Sequence, residues 1–229
     1  MIKFQTGSET HYHDHEPFSE YNSIKAESDW SRQNLSDFIA KEFEKAHNES
    51  EFADYDSLLS EVFGCSENDI NIYFDISDDI QSTLEKFQDC NWERLNDKEK
   101  LSAINELEQK IGNELGMGNV PEIIIDNRLT DAYGFYDSQN GTIVISGKYL
   151  NDAPETVDTV AHELRHAYQH MRAEKCETRE DALFRVNFEN YIEPIPLASG
   201  GWLLFTDYYN QYVEVDARAF ANIFREAMK

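Results

Sequence analysis

Basic side chains are scarce in this chain. Its 229 residues include 20 Lys and Arg against 45 Asp and Glu, a formal charge of −25 at pH 7. Such a surface repels nucleic-acid phosphates and anionic lipid, so neither is an expected partner. Cysteine is equally thin. Cys65, Cys90 and Cys176 are the only three, and none has CxxC or metal-ligand spacing. That pattern excludes a disulfide framework and suits a reducing compartment. Long apolar runs are missing too: no stretch of 18 apolar residues occurs, and MIKFQTGSETHYHDHE at the start holds no signal-peptide core. The expectation is a protein that does not span a membrane, cytoplasmic or exported without a Sec signal. No internal repeat is visible.

What is present suffices for a packed core, with 40% hydrophobic and 13% aromatic residues. Residues 1–30 read as a polar arm in which His11, His13 and His15 alternate. Residues 31–94 read as an acidic, mostly helical region and a candidate surface for a partner protein. Helices are expected over 34–46, over YDSLLSEVFG and over ISDDIQSTLEKF, with INIYF as a short strand. From residue 95 the pattern sharpens into a third region, 95–229. Leu101, Ile104, Leu107, Ile111 and Leu115 form one helical stripe, and Gly116 is placed to stop it. The period then changes to two in EIIID, AYGFYD and TIVIS, with Asn140-Gly141 as a hairpin signal between the last two. Asp152, Pro154 and Glu155 have the form of a helix start, with Glu155 placed to complete a capping box. That helix is expected to reach about Arg172, residues 173–206 to be irregular, and one helix to run over 207–227. The class is α+β, with a small antiparallel-leaning sheet.

The chemistry concentrates in 159-TVAHELRHAYQH-170. His162 and His166 are four apart on a helix, so both imidazoles can serve one ion. Glu163 lies at the edge of that face, close enough to act on a water without binding the metal. Two neutral imidazoles, one metal and one free carboxylate are the parts a zinc hydrolase needs: the metal acidifies a water and the carboxylate takes its proton. Val157, Val160, Ala161, Leu164, Ala167, Tyr168 and Met171 wrap this helix in apolar surface, as a buried site requires.

Catalytic zinc takes three protein ligands. His170 is a poor choice for the third and reads instead as a partly exposed helix tip, because ligands at i, i+4 and i+8 are spread over too many turns to share bonds of ~2 Å. The segment 213-VEVDARAFA-221 offers Glu214 and Asp216, which are 200° apart on a helix, so only one can face the metal. Glu214 shares its face with Ala217 and Ala221, whose small size permits close helix packing, and is the favoured ligand. Asp216 is then a candidate to fix an imidazole by accepting its other N–H.

HELRH, separated by 47 residues from a downstream E-x-D-A-x-x-F-A, resembles the gluzincin class of zinc metallopeptidases. It is similar in particular to the ImmA/IrrE-like peptidases and to the HELRH peptidase domains of bacterial polymorphic toxins and effectors. The resemblance covers about residues 95–229. It implies a zincin-like fold, one Zn2+ at His162, His166 and Glu214, and Glu163 as general base, acting on a protein or peptide substrate. Arg165 departs from the family pattern, which prefers uncharged residues there, and a loop carboxylate is its expected partner. An edge strand in AYGFYD or TIVIS would bind extended substrate by strand addition. Tyr208, Tyr209, Tyr212 and Tyr191 are candidates to stabilise the oxyanion. Two further readings stay open: a catalytically silent zincin-like binding module, and a zinc-dependent amidohydrolase or deamidase. Glu163 separates the first from an enzyme, because a structural metal site has no use for a base.

Overall fold

The computed structural model describes residues 55–63, 65–66, 70, 72–196 and 202–229. The histidine-bearing arm and the expected helix over 34–46 lie outside the described residues. Helices α1 (Tyr55–Phe63) and α2 (Asp78–Leu84) form where the apolar spacing predicts them, and α2 runs on into a 3-10 turn, Glu85–Phe87. The strand expected over INIYF is not seen among its described residues: Ile70 and Ile72–Phe74 are irregular. Phe74 instead packs on Phe220 and Phe224, with ring centroids 5.1 and 5.5 Å away. A single turn, α3 (Asp89–Trp92), stacks Trp92 on Phe87, and its indole N–H donates to Leu150 O.

Helix α4 (Asp97–Glu114) starts at a reciprocal cap. Asn96 accepts from the Glu99 N–H while the Glu99 carboxylate accepts from the Asn96 N–H. Its stripe joins Ile80, Leu84, Phe87 and Trp92 in the same core as the sheet and the following helix. The boundary expected at 94/95 therefore runs through a shared core.

Strands β1 (Glu122–Asp126), β2 (Gly134–Asp137) and β3 (Thr142–Ser146) form a three-stranded sheet in the order β1-β3-β2. β2 and β3 make the expected hairpin, with Gly141 at φ +64° in the turn. β1 and β3, however, are parallel, so the sheet is mixed and not antiparallel-leaning. After β1 the chain crosses to the far edge, lays down β2, and the hairpin returns β3 into the gap between them. The alternating pattern alone does not encode that insertion.

Helix α5 (Ala153–Lys175) carries the motif. Asp152 caps it by accepting from the Glu155 N–H, but the Glu155 carboxylate turns to Arg225 on the last helix and closes no capping box. α5 runs three residues past Arg172 and stops at Cys176, which takes a left-handed conformation at φ 47°. The stretch expected to be irregular holds a further helix, α6 (Arg179–Glu189), opened by a Thr178/Asp181 capping box. Asp181 is fully buried and also accepts both arms of the Arg172 fork, which locks α6 onto α5. A two-stranded ribbon, β4 (Ile195–Pro196) and β5 (Trp202–Leu203), follows. The expected C-terminal helix is two helices, α7 (Phe205–Asn210) and α8 (Tyr212–Ala227), broken at Gln211. Among the described residues the fold is α+β, and no helix is long and apolar enough to cross a membrane.

One buried acid has no role in the site. Glu108 on α4 is 1% exposed, its Oε1 has no hydrogen-bond partner among the described residues, and burial pushes its carboxyl up from 4.5 to about 8. The folded chain thus holds a proton that the unfolded chain has released between pH 4.5 and about 8. The stability this contributes is complete below pH 4.5 and is lost as pH rises to about 8. Glu108→Gln removes the titration. We expect the variant to exceed the parent above pH 8 by roughly 2–4 kcal/mol in denaturant unfolding, with the two converging at acid pH.

Candidate metal centre

Helix α5 places His162 and His166 on one face, and α8 crosses that face with Glu214. His162 Nε2 lies 3.1 Å from His166 Nε2. Glu214 places Oε2 at 3.6 Å from His162 Nε2 and Oε1 at 3.5 Å from His166 Nε2. Four-coordinate zinc with bonds of ~2.0–2.2 Å spaces its donor atoms roughly 3.3–3.6 Å apart. The three donors therefore already stand close to the separations of a tetrahedral face, and among the described residues they are the group that could hold a metal. All three offer lone pairs to a common point in a buried site, an arrangement that a cation satisfies. Burial pushes the Glu214 carboxyl up, but the His166 and His162 imidazoles and the Tyr191 hydroxyl outweigh it and hold it at about 2.

Glu163 is buried beside these donors and differs from Glu214 in its surroundings. One oxygen has no hydrogen-bond partner among the described residues. Burial, with the Glu214 charge acting in the same direction, lifts its carboxyl to about 7 against the opposing effects of His162 and the Tyr136 N–H. Their surroundings thus drive the two carboxyls apart, Glu214 downward and Glu163 upward. Tyr136 belongs to β2, an edge strand, which comes this close because of Gly134: a Cβ there would sit 2.7 Å from Thr159 Cγ2 and 2.7 Å from Val144 O.

The tyrosine candidates separate cleanly. Tyr191 donates its hydroxyl to Glu214 Oε1 at 2.6 Å and so stands at the donor cluster. Burial, reinforced by the Glu214 charge, raises its pKa well above the usual value, so it remains a hydroxyl. Tyr208 packs edge-on to Tyr191, 6.1 Å between centroids. Tyr209 instead lies under the Arg218 guanidinium, and Tyr212 packs on Phe184. Tyr191 is placed by a buried amide pair. Gln211 exchanges hydrogen bonds with the Ile192 backbone and accepts from Asn187, while Asn187 accepts from the Val213 N–H that opens α8.

Asp216 does not meet an imidazole. It accepts both arms of the Arg165 fork, at 2.7 and 2.9 Å, so the partner of Arg165 comes from α8 and not from a loop. The position next to His166 Nδ1 is filled by Gln169 Oε1 at 2.8 Å, a residue that sequence reasoning passed over. The available signal was its spacing, three residues beyond His166 on the same helical face. His170 stacks on Phe188 at 3.9 Å and takes no place among the donors.

Comparison with protein-family models, curated proteins and solved structures finds no match for this chain.

Proposed function

We propose that this chain is a zinc-dependent peptidase with a zincin-like arrangement, in which His162, His166 and Glu214 hold the ion and Glu163 is the general base. One observation carries the reading: a buried carboxylate, one oxygen of which has no hydrogen-bond partner among the described residues, stands beside three metal donors at zinc spacing. A structural metal site needs no such group.

Zinc, when bound, supplies a Lewis acid that polarises the scissile carbonyl and acidifies water. Glu163 takes the proton of the attacking water at its free oxygen as the new C–O bond forms. It returns that proton to the leaving nitrogen as the C–N bond breaks. Tyr191, which remains a hydroxyl, would turn its single O–H from Glu214 Oε1 to the oxygen that gains charge. Edge strand β2, whose Tyr136 N–H contacts Glu163, is the template for an extended substrate backbone. Ile195, Leu203, Leu204 and Phe205 form an exposed apolar lip that connects to the site through the Phe205–Tyr208–Tyr191 rings, and it favours apolar side chains in the substrate.

The test is cleavage of an unfolded protein and of a peptide library by the zinc-loaded chain, read by mass spectrometry. New amine termini that vanish on chelation and return with zinc support the reading. Loss of amide nitrogen from side chains, with intact backbones, would replace it by a deamidase. No product from either substrate would leave a binding module.

A further inference from the structure

Resting on the metal reading of the same donors, we propose that Gln169 sets the His166 imidazole in its Nδ1–H tautomer, and that the Arg165–Asp216 ion pair sets Gln169. A glutamine amide has two donor hydrogens on nitrogen and only acceptor capacity on oxygen. Gln169 Nε2 lies 2.9 Å from Val213 O and 2.6 Å from Asp216 Oδ2. Both are acceptors: the first is a backbone carbonyl, the second a carboxylate already receiving two N–H bonds from Arg165. The NH2 group must therefore face them, since the flipped amide would bring oxygen against oxygen at both contacts.

With the nitrogen committed, Gln169 Oε1 faces His166 Nδ1 at 2.8 Å and can only accept. His166 then carries its proton on Nδ1, and the Nε2 lone pair is left for the ion beside His162 and Glu214. Behind the half-buried His166 the supporting side chains are buried: Gln169 at 0% exposure, Asp216 at 1% and Arg165 at 5%. Water is not at hand to exchange these partners. The guanidinium is held in turn among the rings of Tyr168, Phe220 and Phe184, at 4.7, 5.2 and 5.9 Å. Gln169 is thus a positioning residue. It acts on the metal through His166, and α8 acts on Gln169 through Asp216 and Val213.

The test uses the full chain, metal-free, with 15N-labelled histidine, at about pH 8. Long-range 1H–15N correlation distinguishes protonated from bare ring nitrogens, and the His166 signals are identified by their loss in His166→Ala. The expected wild-type result is Nδ1 protonated and Nε2 bare. Gln169→Met, which keeps the volume and removes the amide, is expected to shift His166 to a mixture of tautomers. Its zinc affinity, measured by competition with a chromophoric chelator, should fall ~10- to 100-fold. Wild-type His166 with its proton on Nε2 would overturn the proposal, and so would Gln169→Met with unchanged tautomer and affinity. If the wild type takes up no zinc yet shows the Nδ1–H form, the positioning chain stands and the metal reading falls.

Discussion

Glu163→Gln is expected to keep its zinc and lose at least about a thousandfold in turnover, within the range by which a positioned general base contributes. The amide has the size of the carboxyl it replaces and can still accept the Tyr136 N–H, so β2 and α5 keep their contact. What it cannot do is take a proton. The His162, His166 and Glu214 donors are untouched, and metal content should match the parent. Peptide cleavage measured alongside elemental analysis checks both halves. Retained activity would remove Glu163 from the chemistry, whereas loss of zinc together with activity would make it part of the metal site and not a base.

Asp216→Ala should be among the most destabilising single changes on α8, by about 3–5 kcal/mol, because it strands a buried guanidinium. Arg165 is 5% exposed and ringed by aromatics, so no water shell can replace the two lost hydrogen bonds. Gln169 loses an acceptor in the same step. For a chain of this length the loss corresponds to a fall in melting temperature on the order of 10 °C. The paired change Arg165→Met with Asp216→Leu removes both charges and should recover much of that, because a buried ion pair is more sensitive to breaking than to apolar replacement. Thermal unfolding of the single and double variants tests this, and an Asp216→Ala variant within 1 kcal/mol of the parent would show that α5 and α8 do not depend on the pair.

The legibility of this molecule in its sequence tracks how local each determinant is. His162, Glu163 and His166 could be read directly because one helical turn fixes their mutual positions. Glu214 could be read from its two alanine neighbours, which announce close packing. Gln169 offered only its spacing from His166, and a glutamine there is ordinary until Val213 and Asp216 arrive from 44 and 47 residues away. Asp216 was misplaced for the same reason: its partner Arg165 was expected to meet a loop carboxylate instead. The break at Gln211 is invisible in YYNQYVEV, where helical spacing continues. It exists because the Gln211 side chain is fully buried against the Ile192 backbone and Asn187. α6 did carry a local signal, the Thr178/Asp181 cap, but the proline and glycine that follow suggested irregular chain throughout. Tyr191, at the end of that helix, could be separated from the other tyrosines only once α8 set Glu214 beside it.

The most direct measurement is zinc content by elemental analysis of the untagged full chain beside His166→Ala. Any metal held by the N-terminal histidines is common to both proteins, so the difference reports the site. The account predicts one more zinc per chain in the wild type than in the variant, after saturation and removal of loosely held ions. Equal metal in the two, or none in either after incubation with zinc, would contradict it.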